Sequence, residues 1–580
     1  MIYTVVLILS FTVWCVAVLS TVINRLHGRK NRVTMSAMNL VLIGTFISAA
    51  IMFIPIYQEQ FGEGNVSGIK TFLISIHNTL RMFILDGEFD IIKNYAKELP
   101  ARYDSIYSVW AAFLYILAPV LTFGVVLSFI KNLSAYRRYL FQYGKEAHVF
   151  SALNERSLAL AKSIRAKFPK AAIVFTDVSS QDDGHSTNMM EKARSIQAIC
   201  FRNDITSQIL RRHGKRAPMS FYVMGENSAE DTEHTLSLIH DFKMRADTRL
   251  YVFSSRVETE LLIHSAMKDA PRIMVFRVDE AQSLVYRFLY EHSIFENALP
   301  IGNEKLISAV ILGLGQYGSE MLKALCWCGQ MNGYRLQINI FDADPRAYER
   351  FAAACPELIS QNKNNAPDEA HYSINFHSGI DYRSPEFTQI LENLPVSFTL
   401  VSLGDDPVNL DAALYLRQLF ERQNQYPEIY TVIYSSVQAN LIRKYRLVNF
   451  KGQDYRIEVI GDERYSYDAV VNSALEREAL KRHTRWGSKE DFYRFAYYYR
   501  ASTATAIHAK WRDICGIPEE DLAELEHKRW SAYIRAEGYV YSGSKSTTSR
   551  NDLAKTHNAL VGFTALPAAE VKKDVDMTSQ

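Results

Sequence analysis

The chain predicts an α/β protein carried on a membrane anchor. Three uncharged apolar runs crowd its start, at 2–23, 35–57 and 105–130. Beyond residue 144 the pattern changes to short apolar runs alternating with helical stretches, the signature of a parallel sheet with crossover helices, and it does so twice. From Ser466 the strand signal is lost and the chain reads as helical. The expected architecture is an N-terminal three-helix transmembrane region, two Rossmann-like doubly wound parallel-sheet domains and a small α-helical C-terminal module. At 580 residues the chain is long enough for all of them.

Each of the three apolar runs meets the ~20 residues needed to cross a bilayer. The first lacks the basic start and small-residue cleavage pattern of a signal peptide. Arg25, Arg29, Lys30 and Arg32 follow the first run, and Lys131, Arg137 and Arg138 follow the third, so both segments are expected on the cytoplasmic side. The loop 58–104 carries Glu59, Glu63, Asp86, Glu88, Asp90 and Glu98 and is expected outside. Within it, 66–85 is apolar but interrupted by Lys70, His77 and Arg81, which suits an amphipathic helix on the membrane surface or on the bundle. The chain that follows, Asp86-Gly-Glu-Phe-Asp90, offers no ion-selectivity filter.

The first set of strands is expected at 148–152, 172–177, 196–200, 220–224, 250–253 and 272–276, closed by a helix over 279–296. The second is expected at 308–312, 337–342, 371–376, 398–403, 429–434 and 456–460. Similar length and order mark an internal duplication. The resulting boundaries are 1–140 for the membrane region, 146–300 and 301–463 for the two sheets, 464–519 for a helical connector, 520–567 for the C-terminal module and 568–580 for a disordered tail.

In the second set, Gly313-Leu-Gly315-Gln-Tyr-Gly318 follows a strand and opens a helix, and Asp342 ends the next strand with Asp344 close by. This is the dinucleotide fingerprint in its required context. The first glycine permits the turn, the second lets a pyrophosphate approach the backbone at a helix N-terminus, and the acid accepts from a ribose hydroxyl. Packing of helix against strand would ask for the same small residues. The matching stretch of the first set, Ser151-Ala-Leu-Asn-Glu-Arg156, has no glycine, so that unit is read as degenerate. The run Val310-Ile-Leu-Gly-Leu-Gly-Gln-Tyr-Gly318 and the later Val401-Ser-Leu-Gly-Asp-Asp406 with Asn409 resemble the nucleotide-binding domains of bacterial potassium-transport regulators, the RCK or TrkA-N family. The resemblance covers about residues 146–460 in tandem. It implies domains that bind dinucleotides or ions, with NAD or another nucleotide as the expected cofactor class.

Near the C-terminus, Leu525-Glu-His-Lys-Arg-Trp530 is followed by Glu537-Gly-Tyr539, Lys555-Thr-His557, Leu560-Val561 and Leu566-Pro567. This series resembles the RyR domain, the small repeat of ryanodine receptors that also occurs in bacterial proteins. It departs from that pattern at Asn558, where many members carry proline. Glu526, Arg529 and Trp530 fall on one helix face. The candidate ligand site is Glu526, Arg529, Trp530, Tyr539, Lys555 and His557: an indole and a phenol to stack a base, with Arg529, Lys555 and His557 for phosphate. An ion pair of Glu526 with Arg529 and a core role for Trp530 fit the same residues.

A net charge of +2, with basic residues spread along the chain, argues against a nucleic-acid partner. The six cysteines show no metal-ligand spacing and read as reduced thiols. GxSxG, HExxH and Walker A motifs are absent, so no enzyme is expected. The resemblance to bacterial RCK–RyR membrane proteins implies a multi-pass protein of the bacterial inner (plasma) membrane, and the three spans with their loop charges put its N-terminus outside. It implies an effector of nucleotide-second-messenger antiphage defence, whose ligand changes membrane permeability. A homo-oligomer is the expected state, with the bilayer and a nucleotide-type ligand as partners. A component of a potassium-type transport system and a membrane-bound NAD-dependent enzyme are the alternatives.

Overall fold

The computed structural model describes the chain apart from residues 1, 27–36, 63–64, 179–183, 212, 215–216, 246, 254–256, 269, 271, 362–371, 472, 544–549 and 579–580. Arg29, Lys30, Arg32 and Glu63 of the charge argument lie outside the described residues. The chain forms two compact units, 1–141 and 142–580.

Among the described residues the first unit has five helices: α1 (Ile2–Leu26), α2 (Ala37–Phe61), α3 (Asn65–Phe83), α4 (Phe89–Lys97) and α5 (Ala101–Leu140). Three are long and apolar enough to cross a membrane, through Tyr3–Ser20, Leu40–Phe61 and Ala101–Phe123. Small residues let α1 and α2 approach closely: a methyl group at Gly44 would meet the Ala17 Cβ at 2.4 Å. The pair is locked by reciprocal bonds, Ser10 Oγ to the Ser48 carbonyl at 2.9 Å and Ser48 Oγ to the Ser10 carbonyl at 2.8 Å. The Trp110 indole of α5 donates to Ser10 Oγ at 2.9 Å. Such internal bonds satisfy polar groups that lipid cannot. Ile8, Leu19, Ile116 and Phe123 point outward. The amphipathic helix expected at 66–85 is α3; it packs on α2 and α5, and its Asn78 amide donates to the Tyr57 hydroxyl.

The second unit opens with β1 (Ala147–Phe150), β2 (Ala172–Phe175), β3 (Ile199–Cys200), β4 (Met219–Val223), β5 (Thr248–Val252) and β6 (Ile273–Arg277). All are parallel, in the order β3-β2-β1-β4-β5-β6. The second sheet comprises β7 (Leu299–Ile301), β8 (Glu304–Leu312), β9 (Tyr334–Asp342), β10 (Tyr372–Ser378), β11 (Phe398–Val401), β12 (Glu428–Val432) and β13 (Ile457–Ile460). Its parallel part repeats the order as β10-β9-β8-β11-β12-β13. This is the doubly wound order of the dinucleotide-binding fold, with the switch point between β1 and β4 and between β8 and β11. Buried on both faces, β1, β2 and β4 are apolar with few interruptions. The antiparallel strand β7 adds to the expected set. It pairs with β8 through the two-residue loop Gly302-Asn303, with Gly302 at φ +58°, a turn that needs a left-handed residue.

The C-terminal part corrects the all-helical expectation. The helices Ala474–His483, Lys489–Arg494, Ala496–Cys515 and Leu522–Ala536 are joined by a small sheet of β14 (Val540–Tyr541), β15 (Arg550–Asn551) and β16 (Thr556–His557) in the order β14-β16-β15. Two-residue strands are too short to show an alternation in sequence. The expectation of a disordered tail also fails: Ala568–Thr578 is a helix, tied down by an Asp574 carboxylate 3.3 Å from His527 Nδ1. The helix that starts at the glycine loop, Gln316–Cys328, packs on Leu522–Ala536, with the Trp327 and Tyr533 rings 6.2 Å apart.

Candidate functional site

The two groups of residues expected to bind a ligand lie at different places. The glycine loop sits at the β8/β11 switch point. Gly313 has φ +88°, and a side chain there would strike the Ser402 carbonyl oxygen at 2.5 Å. At Gly318 it would strike the Gly313 carbonyl oxygen at 1.8 Å. These two glycines are required by the fold itself. Gly315 is different: a Cβ built there meets nothing within 4 Å. Asp342 does not stand open. Its Oδ2 accepts from Leu314 N–H at 2.6 Å and its Oδ1 from Asp344 N–H at 2.7 Å, so the acid expected on a ribose braces the loop. Asp344 accepts from Arg346 N–H and pairs with the exposed Arg350, which holds its carboxyl below the usual range. In the second motif, Asn409 bridges Leu403 N–H and the Val432 carbonyl, and Asp406 accepts from Tyr434 and Ser435 N–H, again as braces.

This gives the glycine loop a clean test. Gly315→Val should fold as the parent does, because the space is open, yet abolish binding of any dinucleotide whose pyrophosphate lies on the loop. Calorimetry against NAD reads it out. Unchanged binding by the folded variant would leave the loop a packing device.

The C-terminal residues surround two neighbouring cavities. The larger, about 920 Å³, lies beside the helix Leu522–Ala536. Its walls include Trp486, Tyr498 and Trp530 and the cations Arg485, Arg529 and Arg550. Trp530 is half-buried, stacked on His527 at 5.7 Å and edge-on to His557 at 4.9 Å. Arg529 is fully buried and makes a two-pronged pair with Glu526, Nε to Oε2 at 3.0 Å and Nη2 to Oε1 at 2.8 Å. Nη2 also donates to Thr505 Oγ1 at 3.2 Å, while buried Nη1 has no hydrogen-bond partner. Burial alone would raise the Glu526 pKa, but the Arg529 guanidinium brings it below its ordinary value. Thus Glu526 holds Arg529 and is not itself presented to a ligand.

His557 also departs from the expectation. It is buried, its Nδ1 accepts from Ala559 N–H at 3.1 Å, and burial pushes its pKa down to about 4, so near neutrality it offers a phosphate no charge. Tyr539 and Lys555 line the smaller cavity, about 290 Å³. The Tyr539 hydroxyl donates to Asp552 at 2.7 Å, and Lys555 Nζ lies 4.8 Å over the Tyr539 ring and donates to the Glu537 carbonyl at 3.2 Å. Arg550, with its guanidinium 3.8 Å over the Tyr497 ring, borders both cavities. Five of the six expected residues therefore divide between two spaces, Glu526 lines neither, and Arg485, Trp486, Tyr498 and Arg550 were missed. The tyrosine run 497–499 was visible in the sequence, but only the fold brings it to Trp530. Lys573 and the acids Glu570, Asp574 and Asp576 of the tail helix complete the larger cavity.

Among the described residues no group of three or more His, Cys, Asp or Glu side chains could hold a metal ion. No family model matches the chain, and no curated protein matches it. Among solved structures, the chain is similar to a component of dipicolinate synthase from Bacillus halodurans at 10% identity, over 65% of this chain and 99% of that one, with a TM-score of 0.18. The fold assignment rests on the strand order of the two sheets.

Proposed function

We propose that this protein is a membrane effector controlled by a nucleotide-type ligand, and that the ligand binds in the larger cavity of the C-terminal module. The observation that carries this reading is the pairing of stacking surfaces with cations in one space: Trp486, Tyr498 and Trp530 beside Arg485, Arg529 and Arg550. Aromatic faces take a base, and guanidinium groups take phosphate. The packing of Trp327 on Tyr533 joins this module to the helix of the glycine loop. A ligand acts by preferring one of two arrangements. The cellular setting we propose is a second-messenger defence system, in keeping with the RCK–RyR resemblance, with the chain as a homo-oligomer in a bacterial inner membrane. Several copies would be needed to open a path through a bilayer from three spans each.

The orientation we propose puts α3 and α4 outside and residues 142–580 in the cytosol. Cysteine placed at Lys97 should then react with an impermeant maleimide on intact cells, and cysteine at Lys170 only after lysis. Equal labelling of both would reverse or dissolve this topology.

The function itself is tested in liposomes carrying the full chain and a trapped dye. Nucleotides that bind should release dye, and Trp486→Ala with Arg485→Ala, two exposed positions, should raise the concentration needed by about tenfold or more. A double variant that responds as the parent does would remove the ligand from this cavity. A parent that binds a nucleotide there and never leaks would end the effector reading.

A further inference from the structure

The first sheet has a crevice of its own. It lies at the C-terminal ends of β1, β2 and β4, at the switch point where doubly wound sheets take their ligands, and measures about 570 Å³. In the usual case a pyrophosphate sits there on a helix N-terminus. Here that position is closed. The helix Glu155–Lys167 is capped by the Asn154 carboxamide, which accepts from Ser157 N–H at 2.9 Å, while Ser157 Oγ accepts from Asn154 N–H at 3.0 Å. Glu155 occupies the first helical position, where it repels an anion.

The rest of the crevice reinforces that inversion. Glu155, Asp177, Glu226, Glu230 and Asp231 all line it. Arg156 is the cation among them, and it is held by Glu280 at 2.8 Å and the Gly225 carbonyl at 2.9 Å. His234 lines the same space. It is only 8% exposed, and its Nδ1 has no hydrogen-bond partner. In the tautomer with its hydrogen on Nε2, Nδ1 presents a lone pair, an acceptor for an N–H donor. Leu153, Val178 and Met189 add an apolar stretch to the lining. A compact metal ion needs converging ligands, and among the described residues no such group forms. An extended organic cation does not need convergence: its ammonium groups can meet separate carboxylates while its methylenes cover the apolar stretch.

We propose that the crevice of the first sheet binds a linear polyamine, a cation where this fold commonly holds an anion. The test uses the full chain in a nonionic detergent, which offers a polyamine no anionic headgroup. Calorimetry is run with spermidine, with magnesium and calcium, and with NAD. Spermidine should bind, and more weakly as salt rises. Glu226→Gln with Glu230→Gln should weaken it about tenfold or more, and Glu155→Gln at the start of the helix Glu155–Lys167 should weaken it as well. Circular dichroism and the melting midpoint of each variant show whether it is folded. Absence of spermidine binding overturns the proposal. So does binding that all these folded variants retain, which would be diffuse surface attraction. Displacement of spermidine by either divalent ion would make this a metal site, and NAD binding lost in the variants would make it a nucleotide site.

Discussion

Replacing Arg529 with alanine is expected to destabilise the C-terminal module by about 3–5 kcal/mol, the cost of leaving one partner of a buried pair without the other. The partner is Glu526, 2% exposed, whose two oxygens are both held by Arg529. The melting midpoint of the full chain measures the loss. Glu526→Leu with Arg529→Met, which removes both charges and keeps the volume, should recover much of it. The pH dependence has a definite sign. Because the Glu526 pKa in the fold lies below its unfolded value, its stabilisation is fully present above the unfolded pKa and is lost as pH falls through the folded one. A loss of ligand response in Arg529→Ala would therefore report unfolding before it reported binding, which is why exposed Arg485 and Trp486 serve better.

The second large effect has the opposite sign. Glu476 is half-buried between two phenols, accepting from Tyr499 at 2.9 Å and Tyr493 at 3.3 Å. Burial pushes its pKa up to about 7. The folded chain thus holds this proton more tightly than the unfolded chain, so the contribution to stability is full below the unfolded pKa and disappears as pH rises through about 7. The span corresponds to about 3 kcal/mol. Glu476→Gln keeps an acceptor for the phenols and cannot ionise. It should flatten the pH dependence between 5 and 8 and raise the melting midpoint at about pH 8. A variant whose midpoint tracks the parent at every pH would show that the Glu476 proton is not linked to folding.

What could be read in the sequence was what repeats or alternates. The buried strands of both sheets announce themselves as apolar runs, and the glycine fingerprint falls between β8 and its helix as expected. The same letters could not say what each residue does once packed. Gly313 and Gly318 are demanded by contacts of the fold, Gly315 alone is open, and Asp342 has turned its carboxylate back onto the loop. In the C-terminal module, the face shared by Glu526, Arg529 and Trp530 was legible, but not which part of it faces inward. That depends on the helices Ala496–Cys515 and Gln316–Cys328, which are remote in sequence. β14, β15 and β16 escaped because two residues carry no period. A small, charged tail reads as solvent-exposed chain, yet its Val571 and Asp574 side turns toward Leu522–Ala536.

That tail helix sets the terms on which the larger cavity can be filled. Its Glu570, Asp574 and Asp576 line the same cavity as Arg485 and Arg529, and they belong to the same chain. A tethered group competes at an effective concentration that, for short flexible connections, is in the millimolar range (~mM) and does not fall when the protein is diluted. Under the proposed function an anionic ligand entering the cavity would meet carboxylates already installed there, and its apparent affinity would fall below its intrinsic affinity. Under the proposed function the tail would set a threshold, crossed most readily by an anion that also gains the stacking surfaces.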